Sequence, residues 1–492
     1  MLKKISLLLI AVFLCMSVMS CSKEQGKTEE TGETGETTAT TITTMEETSM
    51  EDALGFTPSD NGKRTFTILA CDASSYEFYS EDISGDLVND AVHNRNINCE
   101  DLFNINIEII LKAGGWAERA EFNNYITNDV LSDSGEYDLV SGISVVVAQS
   151  LNTDTYYNVA DIDSIDLSHT WWINNQFDEL SINGNLFCLL GDSNLTIYKN
   201  LNVYLYNLKV VENFKLDNPL DMVKDGSWTL DNMLSLARDT RSDLNGDGTI
   251  SINDDVLGFA SNYVLDRSHL TSFDLDIIYK NDSGIPSLVS TLSEKFIDAY
   301  SKMYYAWLIT DDNIVSADYG NYISALAEDR LLFATAYLNV IEKEELRNMS
   351  SDYGVLPYPK YDENQKSYYT QLGTSTTAIY FPQSISDIEL SGQVCEYMAY
   401  YGQSKIVGAY YETMLKDRLA RDVNMSEMLD LVRDSATFSF TMMYNTNFSP
   451  IISQLFQFRN TTDNGENIAS KYVSYYEVYD KSLDTLIESF TD

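Results

Sequence analysis

Asp243, Asn245 and Asp247 stand at alternate positions in the stretch Asp-Leu-Asn-Gly-Asp-Gly-Thr-Ile-Ser-Ile-Asn-Asp, with Gly248 where a tight loop must turn and Ile250 at its eighth position. This is the spacing of an EF-hand-like loop over residues 243–254. Thr249 would add its backbone carbonyl, Ser251 a direct or water-mediated contact, and Asp254 a closing carboxylate. Hard oxygen ligands in this order suit calcium. Asp254 stands where such loops usually carry a two-oxygen Glu, which lowers the ligand count and the affinity expected. The same residues also suit a Gly- and Asp-rich turn that holds no ion. No second loop of this kind occurs in the sequence, so it reads as a structural staple and not as a sensor.

Signatures of catalysis are missing. There is no Gly-x-Ser-x-Gly elbow, no His-Glu-x-x-His and no Gly-x-x-x-x-Gly-Lys-Ser/Thr phosphate loop, and three histidines in 492 residues leave little imidazole. Two acids that meet in space to cleave a glycoside remain open in a chain with 75 Asp and Glu. A secreted carbohydrate-active hydrolase is therefore the alternative reading.

A helix must deliver the Asp-rich loop. Thr229 can cap it, Asp231 and Asn232 favour its first turn, and Leu230, Met233, Leu234 and Ala237 fall at helical spacing. At the amino end, Met-Leu-Lys-Lys precedes an apolar run from Ile5 to Met16 and then Val18-Met19-Ser20-Cys21. A basic start, a short apolar run and small residues before a cysteine make residues 1–20 a lipoprotein signal peptide. The Cys21 motif resembles a bacterial lipobox, which implies cleavage before Cys21 and lipid on it. Two lipid attachments hold a protein on a membrane without a spanning helix. Residues 22–62 are rich in Thr, Glu, Gly and Ser, too polar to offset their ordering entropy, so 21–62 is expected as a flexible lipidated tether with folding from Lys63.

The remainder is too long for one core, which predicts two lobes. A net charge of −43 disfavours nucleic acid and docking by charge on anionic lipid. Cys71, Cys99, Cys188 and Cys395 match no zinc spacing and no disulfide scaffold. Buried free thiols are expected, with one bridge left open.

Arg64–Cys71 alternates as a strand, residues 88–103 have helical spacing, and Ile105, Ile107 and Ile109 alternate again, which is a parallel crossover unit. Residues 137–142 read as a third strand after a helix that follows Trp116. Ligands of open parallel sheets bind beyond the carboxyl ends of the strands. The residues so placed are Asp72 and Ser74 after the first strand, Trp116 and Glu118 after the second, and Ser141 after the third. Asn183-Gly184 is a hairpin signal, and the strand after it runs into Asp192 and Ser193 at an expected crossing between lobes. One of Trp171 and Trp172 is expected to pack under that strand while the other faces out. Trp228 is expected in the core.

Five segments in order resemble the extracellular solute-binding lipoproteins of ABC importers, in the maltodextrin- and oligosaccharide-binding branch. They are Val88 to Asn96, Leu180 to Phe187, Trp228 to Phe259 with its Asp-rich loop, Tyr353 to Asp362, and the late runs Ala420-Arg-Asp and Met428 to Asp434. The resemblance implies a two-lobed α/β fold of the periplasmic-binding-protein type II class with hinge-crossing strands. Residues 63–188 and about 380–425 would form one lobe, and 189–379 with about 426–492 the other. It further implies a carbohydrate ligand, ABC permease subunits as partners, a monomer tethered to the extracytoplasmic face of the bacterial membrane, and no enzymatic activity.

A sugar needs aromatic platforms for its C–H faces and short polar groups for its hydroxyls. With 33 tyrosines the chain has such rings in excess, so abundance locates nothing. Trp116, after two glycines, is the first expectation for a platform, with Glu118 and Asp72 as hydroxyl acceptors. In the second lobe Asn262 and Tyr263 follow the Gly258-Phe259 strand, and Tyr337 lies where the family often places a contact before a helix. Asp192 either touches ligand or shapes the hinge.

Overall fold

The computed structural model describes residues 50–306, 314–316, 319–417, 423–447, 455 and 467–491, all within one compact unit. Cys21, the signal segment and most of the tether lie outside them. Order begins before Lys63. Met50–Leu54 is a helix, Leu54 is buried, and Phe56 packs on Phe103 with centroids 6.5 Å apart. The apolar residues that end the tether are enough to seat it.

β1 (Arg64–Cys71) and β2 (Ile105–Lys112) pair in parallel, from Arg64 opposite Ile105 to Cys71 opposite Lys112. The connecting helix Leu87–Phe103 starts because the Asp86 carboxylate accepts the Val88 and Asn89 amides, and stops at Asn104 in a left-handed conformation. A second helix, Arg119–Ser132, leads to β3 (Leu139–Ile143), parallel on the other side of β1.

The second sheet takes β4 (Asn202–Asn207) and β5 (Leu257–Ser261), then, past the ribbon of β6 (Ile278–Lys280) and β7 (Pro286–Leu288), β8 (Ile314–Ser316), β9 (Leu331–Tyr337) and β10 (Tyr353–Leu356). β11 (Thr370–Gln371) and β12 (Thr377–Tyr380) follow, and β13 (Ala436–Thr437) pairs with β11. The strand orders are β12-β3-β1-β2 and β10-β4-β9-β5-β8. The first sheet thus has three parallel strands with antiparallel β12 on β3, and in the second β9, β5 and β8 run parallel with β4 antiparallel on β9 and β10 antiparallel on β4.

β4 and β12 are where the chain changes sheets. It leaves the first sheet along residues 189–202 and returns along 372–379, and the two segments face each other antiparallel at Leu189–Ile379 and Leu201–Leu372. The hairpin before the first crossing forms as its sequence predicts, with Asn183 and Gly184 both at positive φ. Trp228 is fully buried, its indole donating to the Pro357 carbonyl at 2.9 Å beside Tyr204 and Phe333.

Neither Trp171 nor Trp172 faces out. Both indoles donate to the buried Glu396 carboxylate, at 2.9 and 3.2 Å, and His169 Nδ1 lies 2.6 Å from it. A buried carboxylate needs donors, and Glu396 takes both rings. The four cysteines of the folded part are buried free thiols. Among the described residues no helix is long and apolar enough to cross a membrane.

Candidate functional site

β1 and β2 end in register, so Asp72 and the loop from Ala113 to Trp116 leave the sheet side by side. Gly114 is required there, because a Cβ would meet the Phe122 ring at 2.7 Å and Cys71 Sγ at 3.0 Å. Trp116 is 54% exposed, and its ring carries the Arg119 guanidinium at 4.6 Å. Asp72 and Glu118 are exposed as well. These three remain available to a ligand.

The other expected contacts that are described meet protein groups. The Ser74 hydroxyl donates to the Cys71 carbonyl at 3.4 Å, and Ser141 accepts from Asn194 at 3.0 Å. Asn262 caps the short helix Tyr263–Asp266 through the Val264 and Leu265 amides, and donates to Tyr322. The Tyr263 side chain lies outside the described residues. Tyr337 ends β9 against the second crossing, where a Cβ on Gly373 would meet its ring at 2.6 Å. Asp192 is buried and accepts the Tyr198 hydroxyl. Burial pushes its carboxyl up to about 7, with that hydroxyl opposing.

Both crossings are fastened to the first sheet by one acid. Glu77, at the end of the 3-10 turn Asp72–Glu77, accepts the Thr196 amide at 2.6 Å and the Thr377 hydroxyl at 2.7 Å. Thr196 and Thr377 share a further hydroxyl contact at 2.7 Å, and Asn194 donates to Thr377 at 2.8 Å. Arg95, fully buried, donates to the carbonyls of Glu77 and Ser193. Burial raises the Glu77 carboxyl, and the two threonines and Arg95 oppose that.

Between the loops that follow β1 and β9 lies a cavity of about 510 Å³. Tyr76 and Tyr79 enter from the first, Ile341 and Glu342 from the second, Leu195 and Lys199 from the crossing, with Tyr353 and Tyr410 completing four rings. Lys199 Nζ is 2.8 Å from Glu342, which also accepts the Tyr410 hydroxyl at 2.9 Å. The same ammonium sits over the faces of Tyr76 and Tyr410, at 4.8 and 5.2 Å. Burial, followed by the Glu342 charge, raises the Tyr410 phenol, so it stays a donor at neutral pH. Rings beside charged and hydroxyl groups are the lining that a polyhydroxylated ligand requires.

None of the eight expected ligand residues whose side chains are described lines this cavity. The loops after β1 and β9 are those expected, but the residues lie further along them, at Tyr76 and Glu342 instead of Asp72 and Tyr337. A second cavity, about 760 Å³, lies against Asp178, Asp276, Lys280, Tyr369 and Phe440. It is larger, but away from the ends of β1 and β9 where parallel sheets present their loops, so the smaller one is the candidate.

The Asp-rich loop meets part of the requirement for calcium. Asp243 accepts the amides of Gly246 and Gly248 at 2.6 and 2.8 Å, Asn245 that of Asp247, and Asp247 that of Thr249. Gly246 and Gly248 take positive φ, which folds the loop over its first three acidic or amide side chains. The acid turned inward at the far end is Asp255, accepting from Leu244 and Ser251, whereas Asp254 is exposed. Among the described residues no three His, Cys, Asp or Glu side chains are gathered for an ion.

No protein-family profile matches the chain, and no curated protein matches it in sequence. Solved structures do. A cyclo/maltodextrin-binding protein complexed with maltotetraose superposes with a TM-score of 0.51 at 11% identity, over 87% of this chain and 97% of that one. The galacto-N-biose/lacto-N-biose I-binding protein of an ABC transporter from Bifidobacterium longum, in complex with lacto-N-biose, gives 0.50 at 12%, over 87% and 98%. The chain has the two-lobed solute-binding fold. Its two sheets and paired crossings are that fold's lobes and hinge, and the 510 Å³ cavity opens beside the first crossing.

Proposed function

We propose that this protein is the substrate-binding lipoprotein of an ABC importer, which captures a carbohydrate, an oligosaccharide by size, between its lobes and passes it unaltered to a membrane permease. The observation that carries the reading is the cavity of four tyrosines with Lys199 and Glu342, set between strand-end loops of both sheets and against the first crossing. Both structures with this fold named above hold a saccharide, which supports the same class of ligand. Closure would convert occupancy into a signal, because a permease can distinguish loaded from empty only if ligand shifts the population of lobe arrangements.

The Cys21 motif supports a lipid anchor on the extracytoplasmic face, and Asp243, Asn245 and Asp247 support calcium as a staple for the second lobe. The ion would be held by those side chains with Thr249, Ser251 and Asp254, and it would fix the loop ahead of β5.

A thermal-shift screen against mono- and oligosaccharides tests the main reading, followed by solution scattering with the best ligand. A raised melting temperature with a smaller radius of gyration is expected, and the saccharide should be recovered intact. Release of shortened sugars would favour the hydrolase instead.

A further inference from the structure

Arg347 ends the short helix Glu344–Arg347 and lines the 510 Å³ cavity. Its guanidinium makes no ion pair or hydrogen bond among the described residues. The cavity's own carboxylates are taken. Glu342 holds Lys199 and Tyr410, and Asp86 caps a helix through the Val88 and Asn89 amides. Arg347 is exposed, so its five donors face solvent at the wall of an aromatic pocket.

We infer that the solute is an acidic saccharide whose carboxylate pairs with the Arg347 guanidinium, an inference that rests on the carbohydrate reading above. The guanidinium fork matches a carboxylate with two parallel hydrogen bonds, which a neutral sugar does not offer. The net charge of −43 does not oppose this at short range, since exposed charges beyond about 8 Å are screened at physiological ionic strength. What decides the matter is local. Lys199 is already paired with Glu342 and lies over Tyr76 and Tyr410, so Arg347 is the cation of the lining without a protein partner among the described residues. A uronic-acid unit has both features, a C–H face for a ring and a carboxylate at its edge.

The test is calorimetric titration of the full chain with oligogalacturonides, glucuronoxylan fragments and alginate oligomers, each beside its carboxyl-reduced neutral twin. At least one acidic member should bind ten-fold or more tightly than its twin. Arg347→Gln should erase that preference, bringing the acid and its neutral twin to within two-fold of one another, and Arg347→Lys should restore part of it. Raising salt from 0.05 to 0.5 M should weaken the acid only. Equal affinity within every pair overturns the acidic class, and an acid preference that survives Arg347→Gln overturns the pairing with Arg347; both leave the saccharide reading standing. Binding by neutral sugars outside these pairs and by no acid does the same. If no saccharide of either kind binds, the carbohydrate reading falls, and this one with it.

Discussion

The Glu77 carboxylate accepts the Thr377 hydroxyl at 2.7 Å across 300 positions of chain, and its other oxygen accepts the Thr196 amide at 2.6 Å. One buried acid therefore ties the outgoing and returning crossings to the first lobe. Thr377→Val removes the hydroxyl that Glu77, Thr196 and Asn194 all use, leaving a buried polar atom unpaired. The expected cost is about 1–3 kcal/mol, read as a lower denaturation midpoint at an unchanged slope. Thr377→Ser should recover most of it.

Lys199 and Glu342 connect the first crossing to the loop after β9, with side-chain exposures of 17% and 41%. A pair this close to solvent contributes little to stability, roughly 0–1 kcal/mol. Lys199→Met should therefore shift the melting temperature by no more than a few degrees. If the cavity binds the solute, the same change should weaken the ligand found in the thermal screen by ten-fold or more. An unchanged affinity would move the site elsewhere.

Trp116 separates binding from folding in the same way. A ring 54% exposed contributes little to the core, so Trp116→Ala should leave the unfolding curve within about 0.5 kcal/mol of the parent. Loss of ligand affinity without loss of stability would place the ring in the binding surface, and no change in either would leave it as a solvent-facing partner of Arg119.

The first lobe was legible because its signals are local. Alternation in Arg64–Cys71, the helical run before Phe103 and the Asn183-Gly184 turn each depend on neighbours a few residues away, and the folded chain has each of them. The burial of Trp171 and Trp172 was not legible, because the acid that takes their indoles is 225 and 224 positions off. The cavity was half legible. Strand ends could be read, and so could the loops that line the cavity, but the pairing of Lys199 with Glu342 spans 143 positions. Nothing near Tyr76 or Tyr410 marks them among 33 tyrosines as the ones beside that pair. The nearest usable signal was that Tyr76 and Tyr79 both follow the first strand. Asp192 lies at the crossing, where its carboxylate accepts the hydroxyl of Tyr198, six positions on.

Asp192 should make stability depend on pH. Its folded carboxyl lies at about 7, above its ordinary 3.8, because burial favours the protonated form. The folded chain therefore holds a proton that the unfolded chain has released between those values. The Asp192 contribution is complete below about pH 4 and is lost as pH rises through about 7, at up to about 1.4 kcal/mol per pH unit between them. Denaturation midpoints measured from pH 4 to 8 should show this decline superposed on the effect of other acids. Asp192→Asn should flatten it, and an identical slope in that variant would mean that the proton resides on another group.

Calcium supplies a prediction with a direction and a concentration dependence. The amides of Gly246 and Gly248 already fold toward Asp243, so part of the loop would be arranged for an ion, while exposed Asp254 would have to turn inward to close the site. An ion that binds only the folded loop stabilises it by an amount that grows with the logarithm of its free concentration, about 2.7 kcal/mol at one hundred times the dissociation constant. Chelator should lower the melting temperature, and calcium added back should restore it progressively, with magnesium less effective because its smaller shell fits a flexible oxygen set poorly. Asp243→Ala should abolish that response. Asp254→Asn, which keeps one oxygen ligand but loses the charge, should shift it to higher calcium. Should chelator leave the parent unchanged, the Asp-rich stretch is a turn held by its own amides, and Asp243→Ala would then cost only those two hydrogen bonds, about 1–3 kcal/mol, with or without the ion.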